Sequence, residues 1–148
     1  MSDARSQMRL ERIYLKDASF ESPAAPAVFK ETWQPDISLE INTRSQKIGD
    51  AHFEVVLTVT AKAETDGRTA FIIEVQQAAL FLIQGLEQAV LHRTLGTLCP
   101  ATLFPYVREA VDSLAVRGGF PPLNLAPMNF EAAYEQALKQ SQARPATH

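Results

Sequence analysis

The chain of 148 residues has a single cysteine, Cys99, so no internal disulfide framework holds it together. It has no run of apolar residues near the roughly 20 that cross a bilayer, the longest being of the kind seen at Ala78 to Ile83. Its start, MSDARSQMRLER, lacks the apolar centre of a signal peptide, and with the lone cysteine this sets a cytoplasmic location as the expectation. No GxGxxG and no GxxxxGK[ST] is present, which removes the usual signals for dinucleotide and P-loop sites. The histidines, His52, His92 and His148, are scattered, and no Cys lies within four residues of a His, so no metal-ligand spacing emerges. There is no basic excess either. A formal charge of -3 and a pI near 5.6 argue against a nucleic-acid partner. No cofactor is expected.

What is present begins with alternation of period two. Phe53, Val55, Leu57, Val59, Ala61 and Ala63 point one way, and Glu54, Thr58, Thr60, Lys62 and Glu64 the other. Asp66-Gly67 is a hairpin signal, after which Phe71, Ile73 and Val75 alternate with Ile72, Glu74 and Gln76. Ile37, Leu39 and Ile41 against Ser38, Glu40 and Asn42 predict another strand, and Leu10 to Phe20 a fourth with a less tidy pattern. Between the last two lies Glu21 to Pro35, a proline-bearing crossover that carries Phe29 and Trp33. Trp33, the only tryptophan, either pins this crossover to the body or belongs to a binding surface.

Helical spacing takes over in the second half. Leu86 to Leu98 reads as a helix that Pro100 interrupts, and Pro105 obscures the start of the next. Leu103, Val107, Ala110, Val111 and Leu114 then form a stripe wide enough to face a sheet, with Gly118 at the C-cap. Asn129 is placed to cap a last helix whose apolar face is Phe130, Ala133, Tyr134, Ala137 and Leu138, with Glu135 and Lys139 set to pair on its outer side. Strands first and helices afterwards predict an α+β fold: a four-stranded antiparallel sheet with helices packed on one face. The chain divides into one domain, residues 1–141, and a flexible polar tail, 142–148.

Arg117 to Phe130, RGGFPPLNLAPMNF, is an apolar segment that its glycines and prolines keep out of regular structure, and nothing from Gly118 to Phe130 titrates. It either closes over a core or presents apolar surface to a partner. The uncovered sheet face carries Asp17, Ser19 and Glu21 on the first strand and Ile72, Glu74 and Gln76 on the fourth, which is solvation or a docking patch. Cys99 ahead of Pro100 is the best enzymatic candidate, but His92 is two turns away, about 10 Å, too far to act as its base. A lone cysteine among apolar residues reads more simply as core filling.

Several long blocks carry a resemblance: RIYLKDASFESPAAP from Arg12, WQP from Trp33, FEVVLTVTAKA from Phe53, FIIEVQQAALFLIQGLE from Phe71, and Leu98 to Phe130. Together they closely resemble the SecB family of bacterial protein-export chaperones over nearly the whole length. The resemblance implies a non-enzymatic, ATP-independent holdase that keeps unfolded preproteins competent for translocation and delivers them to the motor SecA. It implies a homotetramer, a dimer of dimers, in which first strands pair across subunits and Ile73, Val75 and Gln77 lie next to the dimer-dimer contact. Client grooves between the crossover and the C-terminal region would draw on Phe29, Trp33, Leu39, Leu123, Leu125, Met128, Phe130 and Tyr134, each of which is otherwise a core residue. SecA's basic zinc-binding module would dock on Asp17, Glu21, Ile72 and Glu74. The tail departs from the family's acidic pattern, since nothing acidic follows Glu135. Two competing readings are a SecB-like chaperone dedicated to one client, such as an antitoxin, and a small-ligand or thiol enzyme built on Cys99.

Overall fold

The computed structural model describes residues 6–143. Its sheet is four-stranded and antiparallel throughout, in the order β1-β4-β3-β2: β1 is Gln7–Glu21, β2 Asp36–Lys47, β3 His52–Thr65 and β4 Arg68–Gln84. Three helices follow, α1 (Gln88–Gly96), α2 (Leu98–Arg117) and α3 (Phe130–Ala143), and the fold is α+β. A short 3-10 helix, Ala27–Lys30, lies in the crossover between β1 and β2. The β3–β4 hairpin turns on Asp66 and Gly67, both at positive φ (51° and 75°), as a tight turn matched to strand twist requires. Of the tail expected at 142–148, Gln142 and Ala143 close α3, and the remainder lies outside the described residues.

The untidiness of β1 has a physical cause. Partners in an antiparallel pair share a face, and β1 sets Met8, Leu10, Ile13, Leu15, Ala18 and Phe20 opposite the inward residues Ile83, Phe81, Ala79, Gln77, Val75 and Ile73 of β4. Register shifts between Leu10 and Arg12 and between Leu15 and Asp17 insert an extra residue at Glu11 and at Lys16. Each is a bulge that resets the alternation, so a period-two count fails across it. No shift falls between Asp17 and Glu21, and their shared parity survives.

Helix α2 covers the inward face. Leu103, Val107 and Val111 are fully buried, while Ala110 and Leu114 of the same stripe are half-buried. They share one core with Val55, Leu57, Val59 and Ala61 of β3 and Phe71, Ile73 and Val75 of β4. Burying each such side chain stabilises the fold by about 1.5–3 kcal/mol before entropy is counted. Pro100 does not break this helix. It lies in the first turn, where backbone N–H groups have no intrahelical acceptor, and α1 and α2 instead part at Thr97 (φ -126°, ψ -71°). Pro105, inside α2, is tolerated at the cost of one backbone hydrogen bond.

The C-terminus of α2 is a Schellman motif. Phe120 N–H donates to the Ala115 carbonyl (2.9 Å) and Gly119 N–H to that of Val116 (3.0 Å), with Gly119 at φ 93°. The left-handed position is therefore Gly119, one residue past the C-cap Gly118. The apolar segment beyond it is held from α2. Asp112 Oδ1 accepts the N–H groups of Leu123 (2.9 Å) and Asn124 (3.1 Å), and Arg108 Nε donates to the Leu125 carbonyl (2.9 Å). Asn129 caps α3 through Oδ1, which accepts the Ala132 N–H at 2.9 Å. Glu135 pairs across to Arg93 of α1, not along α3 to Lys139 as spacing suggests.

Candidate client-binding and docking surfaces

Two apolar hollows open on the helix-bearing side of the sheet. The first lies where the crossover meets the end of α2. Trp33 is half-buried, stacked on Phe71 (centroids 6.2 Å apart, 25° between planes) and 5.1 Å from Phe120. Phe29 lies 5.2 Å from Phe120 and is 50% exposed, and Phe20 of β1 stacks on Phe71 from the other side. Val28, Phe29, Glu31, Trp33, Phe120 and Pro121 line a cavity of about 160 Å³. Trp33 thus anchors the crossover and walls the hollow at once. Offset ring pairs of this kind add roughly 0.5–1.5 kcal/mol each beyond area burial.

The second hollow, about 410 Å³, runs between β2 and α3. Its floor is Ile41, Thr43 and Ser45, and its roof is Met128, Ala133, Tyr134 and Ala137. Tyr134 lies over Gly96, where a Cβ would stand 2.8 Å from its Cδ1, and its hydroxyl hydrogen-bonds His92 Nδ1. Arg93 of α1 pairs with Glu131 (2.7 Å) and Glu135 (2.5 Å), with its guanidinium 4.9 Å from the Tyr134 ring centroid. Polar contacts between α1 and α3 therefore hold the roof.

An apolar strip joins the hollows. Ile37 lies in the same cross-strand row as Phe71 through Ala63, Leu39 opposite Ala61, and Ile41 opposite Val59, all on the helix side. Ile37 and Leu39 remain 42% and 43% exposed. Of the groove residues expected from sequence, Phe29, Trp33, Leu39, Leu123, Met128 and Tyr134 keep accessible surface. Leu125 is buried in the core, while Phe130, buried as well, still lines the hollow under α3. Phe120, Ile41 and Ala137 line these hollows without having been expected there, and Phe20 and Phe71 pack against the aromatic one. The glycine pair before Phe120 was the available signal for a close approach there.

On the other face, Asp17 stands opposite Gln76, Ser19 opposite Glu74, and Glu21 opposite Ile72, so Asp17, Glu21, Ile72 and Glu74 share one surface. The row continues through Thr60 of β3 to Glu40 of β2, which adds a carboxylate, while Lys62 lies beside Ile72. Toward the other end of the face Glu54 accepts hydrogen bonds from Tyr14 (2.5 Å) and Lys16 (2.7 Å). The Lys16 contact, then that from Tyr14, lowers the Glu54 carboxyl below its ordinary value; burial first, then Glu54, pushes the Tyr14 phenol up to about 12.

Ile73, Val75 and Gln77, expected next to a contact between copies, lie on the inner face of β4. Ile73 and Val75 are fully buried beneath the chain's own helices and Gln77 is 6% exposed, because their parity points them into the core. The exposed apolar residues nearest them in the sheet are Leu10 and Leu15 of β1, at 41% and 55%. The thiol reading gains no support from the structure. Cys99 has no exposed surface, and burial pushes its thiol up to about 12, so no thiolate is available near neutral pH. Among the described residues no cluster of His, Cys, Asp and Glu is placed to hold a metal, and no helix is long and apolar enough to cross a membrane.

Comparison with known proteins agrees with this arrangement. A family model described as preprotein translocase subunit SecB matches residues 1–141. The protein-export protein SecB of Hahella chejuensis is 53% identical over 137 residues, covering 93% of this chain and 86% of that protein. That of Marinomonas sp. strain MWYL1 is 47% identical over the same coverage. Among solved structures, a Mycobacterium tuberculosis SecB-like chaperone in complex with a ChAD peptide from the HigA1 antitoxin matches with a TM-score of 0.67, over 85% of this chain and 89% of that one. At 22% identity that likeness establishes the fold. A helix-backed sheet with half-exposed apolar hollows, matched along nearly its full length by these relatives, belongs to the SecB family of protein-export chaperones.

Proposed function

We propose that this chain is an ATP-independent holdase that binds unfolded preproteins in the cytoplasm, keeps them translocation-competent and passes them to SecA. The observation that carries the reading is the half-exposed apolar path from Phe29 and Trp33, along Ile37 and Leu39, to the hollow under Tyr134. An unfolded client exposes apolar side chains at irregular spacing, and a long path lined by aromatic rings and Met128 accepts them with little sequence preference. Each contact is modest, but several on one client raise the effective concentration of the next. A homotetramer, with the β1 edge facing a second copy, multiplies such paths and protects a long unpaired edge.

Delivery uses the opposite face. Asp17, Glu21, Ile72 and Glu74 place carboxylates around one apolar residue, suited to a basic zinc-binding module of SecA. Client and motor then occupy different sides of one sheet, so a loaded chaperone remains able to dock. The test is the aggregation of a chemically denatured client diluted into buffer without nucleotide. The purified protein suppresses light scattering in proportion to its concentration, and unchanged scattering at severalfold molar excess overturns the proposal.

A further inference from the structure

The outer face of the sheet changes sign along its length. Toward the β3–β4 hairpin it is acidic, through Asp17, Glu21, Glu74 and Glu40. Toward the β2–β3 turn it is basic. Arg9 and Arg12 of β1 stand opposite Leu82 and Leu80, Arg44 of β2 stands opposite Val56, and Lys16 reaches in from its bulge to Glu54. Four cations there meet two carboxylates, Glu11 and Glu54.

This basic end is a built surface. Val56 and Ala78 lie on the side of the sheet away from the helices, yet they are 1% and 0% exposed. Tyr14 stands opposite Ala78 and reaches across β4 to Glu54 of β3, and the small Ala78 leaves room for its ring. Glu54 accepts from Tyr14 and Lys16, while Glu11 accepts from Arg9 (2.7 Å) and lies 3.0 Å from His52, so both carboxylates are already engaged twice. Arg12 and Arg44 are exposed and, among the described residues, pair with no carboxylate.

We propose that the basic end of the outer face binds an extended acidic segment of a partner polypeptide, whose carboxylates pair with Arg12 and Arg44. This goes beyond the holdase reading by adding a second dock, opposite in charge to the first, on the same face. A guanidinium is weakly hydrated and presents a planar fork that a carboxylate meets with two hydrogen bonds. The two arginines lie on the outermost strands, three strand spacings apart and one two-residue step along, which separates their Cα atoms by about 16 Å. An extended chain covers that distance in about five residues.

An anionic membrane fits this end less well. A lipid plane broad enough to reach both arginines also meets Asp17, on the same strand as Arg12, and the acidic end beyond it. A short acidic segment stops before the change of sign.

The experiment is fluorescence anisotropy at low salt on the full chain, with a labelled, C-terminally amidated peptide of serine and glycine that carries glutamates about five residues apart. Replacing both arginines, Arg12→Gln with Arg44→Gln, weakens binding by about tenfold, while Lys30→Gln with Lys139→Gln, which removes as much charge from exposed positions elsewhere, leaves it near wild type. A peptide with adjacent glutamates binds severalfold more weakly. Should Arg12→Gln lower the urea midpoint, Arg44→Gln alone, on the edge strand β2, carries the comparison. Equal loss in the two double variants assigns binding to net charge and overturns the proposal, as does absence of binding at millimolar peptide. Phosphatidylglycerol vesicles that bind through Arg12 and Arg44 where the peptide does not assign this end to a membrane surface, and overturn it as well.

Discussion

The ring of Phe20 fills the space in which a side chain at Gly118 would begin: a Cβ built on Gly118 would stand 2.1 Å from Phe20 Cζ. Strand β1 and the end of α2 are keyed together at this point, and Phe20 continues through Phe71 into the aromatic hollow. The next glycine has a different reason, since Gly119 sits at φ 93° and a Cβ there would also press on Phe29 at 3.0 Å.

Gly118→Ala is therefore expected to destabilise the fold by about 1–3 kcal/mol, as overpacking does. Phe20 is partly exposed, so the ring rather than the backbone gives way. Phe20→Leu in the Gly118→Ala background should recover part of the loss, measured as the urea midpoint at constant m-value. Gly119→Ala should cost about 1–2 kcal/mol from its left-handed backbone, with no rescue by Phe20→Leu. Equal rescue of both variants would show that Phe20 is not the constraint at Gly118.

Charge reversal on the outer face should separate the two binding activities. Glu74 lies between Ser19 and Thr60, on the side of the sheet away from Trp33 and the hollow under α3. Glu74→Lys is expected to weaken binding of a basic SecA zinc-module peptide by about tenfold or more at low salt, with the difference shrinking as salt screens it. Aggregation suppression should remain near wild type. Parallel loss of both, by titration calorimetry and light scattering, would mean that the outer face is part of the client site.

How far these surfaces could be read from sequence depended on whether local order or tertiary packing decides them. The alternation from Phe53 to Ala63, the Asp66-Gly67 turn and the Asn129 cap follow from residue-level stereochemistry, and each is legible. Asp17, Glu21, Ile72 and Glu74 share a face because no bulge interrupts either stretch. The strand over Leu10 to Phe20 was legible, but its face assignment as a whole was not, because an inserted residue at Glu11 and at Lys16 resets the parity. Leu125 and Phe130 carry the same apolar chemistry as Met128 and Tyr134, so composition alone could not separate core from groove. Burial separates Leu125, whereas Phe130 packs edge-on to Phe104 of α2 and still lines the hollow, and Tyr134 is turned toward α1 by His92 and Arg93. Pro100 misled because proline breaks helix interiors but suits first turns, and only the position of Thr97 tells which applies.

Alkaline pH should loosen one corner of the sheet. Tyr14 donates a hydrogen bond to Glu54, and its phenol is pushed up to about 12 by burial first and by that carboxylate next. A group whose proton is held more tightly in the folded state contributes stability that is complete below its ordinary value, here 10.0, and is lost as pH rises toward about 12. Tyr14→Phe should cost about 1 kcal/mol near pH 8, the worth of a partly buried hydrogen bond, and flatten the decline of the urea midpoint above pH 10. On the acid side the sign reverses. The lowered carboxyl of Glu54 contributes stability above its ordinary value that is lost as pH falls through the folded one, and Glu54→Gln should flatten that limb. A wild-type alkaline slope in Tyr14→Phe would assign the decline to other groups.

The roof of the hollow under α3 depends on a few polar contacts, which makes it a place to alter access without unfolding the protein. Arg93 joins α1 to Glu131 and Glu135 and lies against the Tyr134 ring, while the apolar hold on α3 is concentrated at its first turn in Phe130. Exposed ion pairs contribute little to global stability, so Arg93→Ala should leave the urea midpoint nearly unchanged. It should nonetheless speed amide exchange from Ala133 through Leu138 severalfold, with α2 and the sheet unaffected, because local opening is governed by the contacts of that segment alone. Wild-type protein at high salt should move in the same direction, since the pairs are screened. Gly96→Ala should act more strongly, by driving the Tyr134 ring from its seat, where the added Cβ would come within 2.8 Å. If α3 exchange stays at the wild-type rate in Arg93→Ala, the roof is held by Phe130 and Met128 packing, and access to the hollow is set there instead.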